Sequence, residues 1–364
     1  MTPLISHRQL LDAKRLLYMT HLAIGDHIYQ GVWLKALRQK YPHLEIDVWF
    51  DDCRRRPHSW AAGRNKTLGE WLRADGAFGE IYPIVSNVAE RASQIAEAAE
   101  REHDLIVFVG KNRSEQFAKV ARQISSTAFA VATKSKPWNN PLAKWWYFSR
   151  LDGYLSFDEY SRRLGRITAI YAGVFGRIFG LTAADAAGRE SLEIRYDPKY
   201  DEAARKYLAS FGAGCKSFVF LNHLSTAPRK DYPWEQLRDV MLGIHERYPG
   251  IAFIVNSPPD KFEETRAGIE ADDALSALAV KAFTATGNFF ELPAVMARCD
   301  LTVTVDTATS HLAASLDKPQ VAIMADDVKL WQPPGNSLIL EGDGNARSIT
   351  PDQVVEAFAE QYLR

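Results

Sequence analysis

At 364 residues the chain is long for one compact domain and of ordinary length for two. Hydrophobic residues make up 46% and charged residues 24%, a globular balance that excludes a disordered chain, a collagen-like repeat and a dense disulfide scaffold. The net charge of −1 conceals a split: residues 1–195 hold 28 Lys+Arg against 21 Asp+Glu, and residues 196–364 hold 16 against 24. Either the first half meets something anionic, such as a phosphorylated acceptor or a membrane surface, or its surface charge has drifted without consequence.

In chain order, Met1–Lys14 has no apolar core of signal-peptide length, and no apolar run reaches about 18 residues. A cytoplasmic protein without a membrane span is the expectation, with peripheral attachment to the inner face of the inner membrane left open. Arg15–Thr20 reads as a strand, and a helix opens near Ile28 and runs to Lys40. Glu45–Phe50, Leu105–Gly110 and Ala128–Thr133 read as further strands. Trp138, Trp145, Trp146, Tyr147 and Phe148 then crowd among Lys134, Lys136, Lys144 and Arg150. Downstream, Ile167, Ile170, Tyr171, Val174, Phe175, Ile178 and Phe179 fall at helical steps, with Arg162, Arg163, Arg166 and Arg177 nearby. That stripe fits an interfacial helix on anionic lipid, or plain core packing.

Tyr196-Asp197-Pro198 breaks the pattern and sets a domain boundary, giving an N-terminal lobe at 1–195 and a second lobe at 196–350. In the second lobe Ser217–Asn222, Ile251–Asn256, Leu301–Val305 and Gln320–Met324 read as strands. Pro233–Arg247, Phe262–Ala279, Leu292–Arg298 and Ser310–Leu316 read as helices. A last helix, Pro351–Tyr362, starts behind Thr350 as N-cap, and the segment 351–364 is expected to pack back on the first lobe. Strands alternating with helices imply parallel sheets, so the fold class is α/β with two doubly wound lobes.

Three strand-to-helix loops carry candidate chemistry, because ligands of such sheets bind beyond the carboxyl ends of the strands. In Ala23-Ile24-Gly25-Asp26-His27, glycine permits a sharp turn and Asp26 stands at a helix start, either as a cap or as a reactive carboxylate. In the loop from Asn222 to Trp234, Ser225, Thr226, Arg229 and Lys230 could form an anion cradle, or a solvated turn. In Val305-Asp306-Thr307-Ala308-Thr309-Ser310-His311, helix-start amides suit a diphosphate, aided by the hydroxyls of Thr307, Thr309 and Ser310. Asp306 is better placed for sugar hydroxyls than for phosphate.

Cys53, Cys215 and Cys299 lie far apart without C-x-x-C spacing and cannot all pair, which points to a reducing compartment and no cysteine-built metal site. No metal site is expected: Asp-x-Asp is absent, His21, His27 and His223 lack ligand spacing, and Asp51-Asp52 and Asp326-Asp327 read as solvated turns. Gly212–Ser217 superficially resembles a phosphate-binding loop but precedes a strand instead of following one.

Taken together, the loops resemble bacterial ADP-heptose:lipopolysaccharide heptosyltransferases, glycosyltransferase family nine. Gly25-Asp26, Leu34–Pro42 and Ile46-Asp47-Val48 are similar to its N-terminal signature. Lys230-Asp231-Tyr232-Pro233 is similar to its Lys-x-Trp-Pro turn, with Tyr232 replacing tryptophan. Asp306–Pro319 resembles its Asp-Ser/Thr-Gly-x-x-His stretch, with Ala308 replacing glycine, and Trp331-Gln332-Pro333 matches its Trp-x-Pro. The resemblance covers about residues 14–50 and 217–335 and omits the aromatic middle.

The resemblance implies a GT-B architecture, two Rossmann-like lobes facing a central cleft. The reaction would be inverting, metal-independent heptosyl transfer from ADP-heptose to a lipopolysaccharide-core hydroxyl. Asp26 would be the general base, and Gly25 and His27 would contact an anionic glycolipid acceptor. Lys230 would neutralise the departing diphosphate with Ser225 and Thr226, while Asp306, Thr307, Ala308, His311 and, loosely, Asp260 would bind the donor. No cofactor and no nucleic acid enter this scheme. Alternatives are a family-nine transferase with another donor or a non-core acceptor, a nucleotide-sugar epimerase of the same fold, and a non-catalytic binding protein.

Overall fold

The computed structural model describes residues 2–134, 141–326 and 328–364. Trp138, Lys136 and Asp327, singled out above, lie outside the described residues, as does the side chain of Lys144. The chain divides into two units, Met1–Leu192 and Glu193–Arg364.

The first unit holds six strands, β1 (Arg15–Thr20), β2 (Glu45–Trp49), β3 (Ile81–Tyr82), β4 (Leu105–Val109), β5 (Phe129–Lys134) and β6 (Gly153–Ser156). They form one parallel sheet in the order β3-β2-β1-β4-β5-β6. The second unit holds β7 (Ser217–Asn222), β8 (Ile251–Asn256), β9 (Ala279–Phe283), β10 (Leu301–Val305), β11 (Gln320–Met324) and β12 (Ser337–Glu341). Their parallel order is β12-β11-β10-β7-β8-β9, the same winding read from the other edge. Both are the 3-2-1-4-5-6 order of a Rossmann fold, whose ligand crevice opens where the winding reverses. That point falls between β1 and β4 in one unit, and between β7 and β10 in the other.

The sequence reading places β1, β7, β8, β10 and β11 at their observed bounds, and β2, β4 and β5 within a residue. These are inner strands, buried along almost their whole length, so each reads as a mainly apolar or β-branched run. The unread strands β3, β6, β9 and β12 are short or half-exposed, and all four are sheet edges. One expected helix is corrected: it spans Phe262–Glu270, and the chain expected to extend it to Ala279 turns instead and pairs with β8 as β9.

The helix after β1 starts at Ile24 rather than near Ile28, which puts Asp26 inside its first turn. The apolar stripe of Ile167–Phe179 is buried throughout and packs on the helix Ile24–Lys40, with Phe175 stacked on Trp33 at 6.3 Å. The stripe is core, and its interfacial reading falls.

The terminal helix Pro351–Tyr362 is capped by Thr350, whose hydroxyl accepts from Gln353 N at 3.4 Å while the Gln353 side chain accepts from Thr350 N at 2.8 Å. It does not leave the second unit as expected. Val354, Val355, Ala357 and Phe358 join Val240, Met241 and Ile244 in that unit's core. Gly243 admits this packing, since a Cβ there would stand 3.0 Å from Val355 Cγ2. Among the described residues, no helix is long and apolar enough to cross a membrane.

Candidate functional site

In the first unit, β1 delivers the chain to Asp26 at the switch point. Asp26 sits at the third helical position, where Oδ2 accepts from Ala23 N at 3.2 Å, and Tyr171 donates to Oδ1 at 2.9 Å. It therefore caps its helix and also presents a carboxylate. Burial raises its pKa above the usual value, and the Tyr171 bond, the Ala23 N–H and the Arg64 charge oppose that rise.

His27 is not placed to meet an acceptor. It is fully buried, with its ring edge-on to Trp71 at 4.8 Å, and burial followed by the charge of Lys35 lowers its pKa to about 3. Successive positions on a helix point about 100° apart, so the turn that directs Asp26 outward directs His27 into the core. Gly25 is buried beside it.

Asp51 and Asp52 are not solvated. Both are buried, Asp51 gripped by both nitrogen arms of Arg91 and Asp52 by Arg54 Nε at 2.5 Å. Arg113 donates to Asp52 O at 3.2 Å. His21 lies 3.8 Å from Asp52, with its pKa lowered to about 4 by burial and by Arg64, against the pull of Asp52. Arg64 lays its guanidinium 3.7 Å from the centroid of the Trp60 ring. Its field reaches both His21 and Asp26. Sequence reasoning missed Arg64 and Tyr171; the basic excess of the first half was the only local signal for the former.

In the second unit, the loop after β7 is closed twice at its base. Tyr232 N donates to His223 O at 2.9 Å, and His223 Nδ1 bonds Tyr232 O at 3.0 Å. Asp231 Oδ1 accepts from Ser225 N at 2.6 Å and from Ser225 Oγ at 2.8 Å. Ser225 is thus spent shaping the loop, while Thr226 is exposed on it. Tyr232 is buried and donates to Ile349 O at 3.0 Å, anchoring the loop in the core.

Lys230 ends a short 3-10 turn, Pro228–Lys230, and places Nζ 2.5 Å from Asp306 Oδ2. Its side chain is 23% exposed and that of Asp306 5%, so the ammonium is the partner that solvent or a ligand reaches. Asp306 leaves β10 into the helix Ala308–Ser315. Thr307 provides no side-chain cap to the amides of that first turn, of which Ser310 N bonds back to Thr307 O at 3.1 Å. Ser310 is buried and donates its hydroxyl back to Thr307 O at 2.8 Å, and Thr309 is buried too, so neither hydroxyl is presented as expected. Ala308 is helical and is not among the residues of positive φ, so this turn works without glycine.

His311 is buried, tilted against Trp331 at 5.9 Å, and its pKa is lowered to about 4 by burial; Asp306 raises it and Lys230 lowers it. Asp260 stands in an exposed turn and touches neither Lys230 nor Asp306 among the described residues. Asp326 pairs with Arg229. The three cysteines are free.

Two Rossmann-like units of this winding, each with charged groups at its switch point, make up a GT-B fold. Residues 176–348 match the model of glycosyltransferase family 9 (heptosyltransferase). No curated protein matches the chain in sequence.

Solved structures share the fold over nearly the full length. A family 9 glycosyl transferase from Veillonella parvula is 19% identical, with 97% of this chain and 98% of that one covered at a TM-score of 0.71. E. coli ADP-heptose lps heptosyltransferase II is 15% identical, with 96% and 98% covered at 0.69. E. coli heptosyltransferase WaaC with ADP is 17% identical, with 95% and 99% covered at 0.61. Residues 176–348 are thus similar to a family 9 (heptosyltransferase) domain, on a fold that the whole chain shares with solved glycosyltransferases.

Proposed function

We propose that the protein transfers a heptose from ADP-heptose to a hydroxyl of a lipopolysaccharide-core acceptor, with inversion and without a metal. The observation that carries this reading is the Lys230–Asp306 pair at the switch point of the second sheet, beside a helix start without a side-chain cap. WaaC, with 17% identity to this chain, has been solved with ADP, which agrees with a nucleoside diphosphate as the group bound. Asp306 holds the ammonium, and Lys230 meets the charge that develops on the leaving diphosphate.

Asp26 takes the proton of the acceptor hydroxyl as its oxygen bonds the anomeric carbon. The bond from that carbon to the diphosphate oxygen breaks, and ADP departs. A positioned base of this kind contributes roughly 10²–10⁴-fold. The Arg54, Arg64 and Arg113 side chains near His21 support a phosphorylated acceptor for the first unit. Lys230 supplies the cation that a metal would otherwise bring, so EDTA is expected to leave turnover unchanged.

The acceptor's lipid would bring the protein to a membrane surface, and this support shifts from the buried stripe to the helix Pro141–Phe148. Trp145 is 68% exposed and Trp146 51%, with Arg150 4.3 Å from the Trp146 ring centroid. Lys134 stands 4.3 Å over Tyr154, itself 47% exposed. Aromatic rings flanked by cations suit an anionic interface, and release from membranes by high salt is the expected behaviour.

A second reading, a different nucleotide-sugar, has one observation in its favour: Ala308, where the family motif has glycine, puts a Cβ at the helix start. Nucleotide release from a panel of donors, ADP-heptose first, decides between them. Turnover with another donor alone would refute the heptosyl assignment, and no turnover with any donor would refute transfer altogether. Undiminished turnover in Asp26→Ala would refute the base.

A further inference from the structure

Asp26 is held by more than its own loop. Tyr171 donates to Asp26 Oδ1 at 2.9 Å, and Gln30 Nε2 donates to the same tyrosine oxygen at 2.9 Å. Gln30 Oε1 in turn accepts from Tyr18 at 2.7 Å and from Thr20 at 3.0 Å. Tyr18, Thr20, Gln30 and Tyr171 are all buried, at 0%, 0%, 1% and 3% exposure, so water offers them no substitute partners.

The chain has one direction. The hydroxyls of Tyr18 and Thr20 occupy the Gln30 carbonyl, which turns the Gln30 amide N–H toward Tyr171. A tyrosine that receives an N–H on its oxygen has a single proton left to give, and the carboxylate of Asp26 takes it. Among the described residues, Oδ2 keeps only the Ala23 N–H, at 3.2 Å. A buried apolar contact would have filled this volume without the cost of desolvating four polar groups.

The geometry points to Tyr171 and Gln30 as positioning residues of the transfer reaction, which occupy Asp26 Oδ1 with a fixed donor and leave Oδ2 to receive the acceptor's proton. This inference rests on Asp26 being the base proposed above. Three groups act on the carboxylate from the packed elements: Tyr171 from the helix Ile167–Phe179, Arg64 from the helix Ala61–Asp75, and Tyr18 from β1, which feels its charge. Burial pushes the carboxyl up, and the Tyr171 bond is the first of the forces that hold it down.

Removing that bond lets the carboxyl rise further. Asp26 works only when ionised, so the acidic limb of kcat/KM moves to higher pH. Tyr171→Phe is expected to move it by about one pH unit, a loss of roughly tenfold below the limb. The alkaline plateau should stay within a few-fold of wild type. Gln30→Met, which removes the orienting amide together with the carbonyl that accepts from Tyr18 and Thr20, is expected to move the limb in the same direction by less.

A structural role alone would lower the plateau and leave the limb where it is. With Asp26→Asn inactive at every pH, an unmoved limb in folded Tyr171→Phe overturns this inference and leaves the base assignment standing. Full activity in Asp26→Asn overturns both. Should Tyr171→Phe fail to fold, Gln30→Met decides: an unmoved limb there overturns the inference equally.

Discussion

His27 allows a prediction in which function and stability separate. Its ring is fully buried against Trp71, both ring nitrogens lack a hydrogen-bond partner among the described residues, and its pKa is lowered to about 3. The folded pKa lies below the unfolded value, so the stabilising contribution is present above about pH 6.5 and is lost as pH falls toward about 3. Within that window the unfolded chain carries a proton that the folded chain refuses, and stability drops by about 1.4 kcal/mol per pH unit. Between about pH 7 and about pH 5 the loss attributable to His27 amounts to about 2 kcal/mol.

His27→Leu removes that proton from the balance. The variant loses the edge-on contact with Trp71, a cost of about 1 kcal/mol near neutrality, yet its unfolding free energy should fall less on acidification. Urea unfolding of both proteins across this range measures the difference. Parallel pH dependences would refute the buried neutral histidine. The Michaelis constant for acceptor should not change, and a rise above about tenfold, about 1.4 kcal/mol, would return His27 to the acceptor site.

Two further expectations concern the second unit. Lys230→Met should lower kcat by about 10²–10³-fold, since a charge aimed at the leaving group acts mainly in the transition state; an effect confined to the Michaelis constant for donor would reduce Lys230 to a binding residue. Tyr232→Phe leaves Ile349 O without its donor in the core, and should cost about 1–3 kcal/mol in urea unfolding. An unchanged midpoint would show that the hydroxyl does not anchor the loop.

The sequence by itself determined the two parallel sheets and the three loops that carry charge. Inner parallel strands are covered on both faces, so β1, β7, β8, β10 and β11 are mainly apolar or β-branched and stand out against polar turns. Rossmann winding then places the loops after β1, β7 and β10 at the switch points, whatever fills them. Asp26, Lys230 and Asp306 were legible for that reason.

Tertiary structure alone decided what each side chain does there. Asp26 meets Tyr171 across 145 positions of chain, and Lys230 meets Asp306 across 76, distances over which no local periodicity carries information. The same limit hid the inward turn of His27, the spending of Ser225 and Ser310 within their own loops, and the burial of Asp51 and Asp52. Strand pattern reports which face of an element is wet, because burial has a period. Which buried polar groups find one another depends on how the elements stack, and that is fixed only when the core closes.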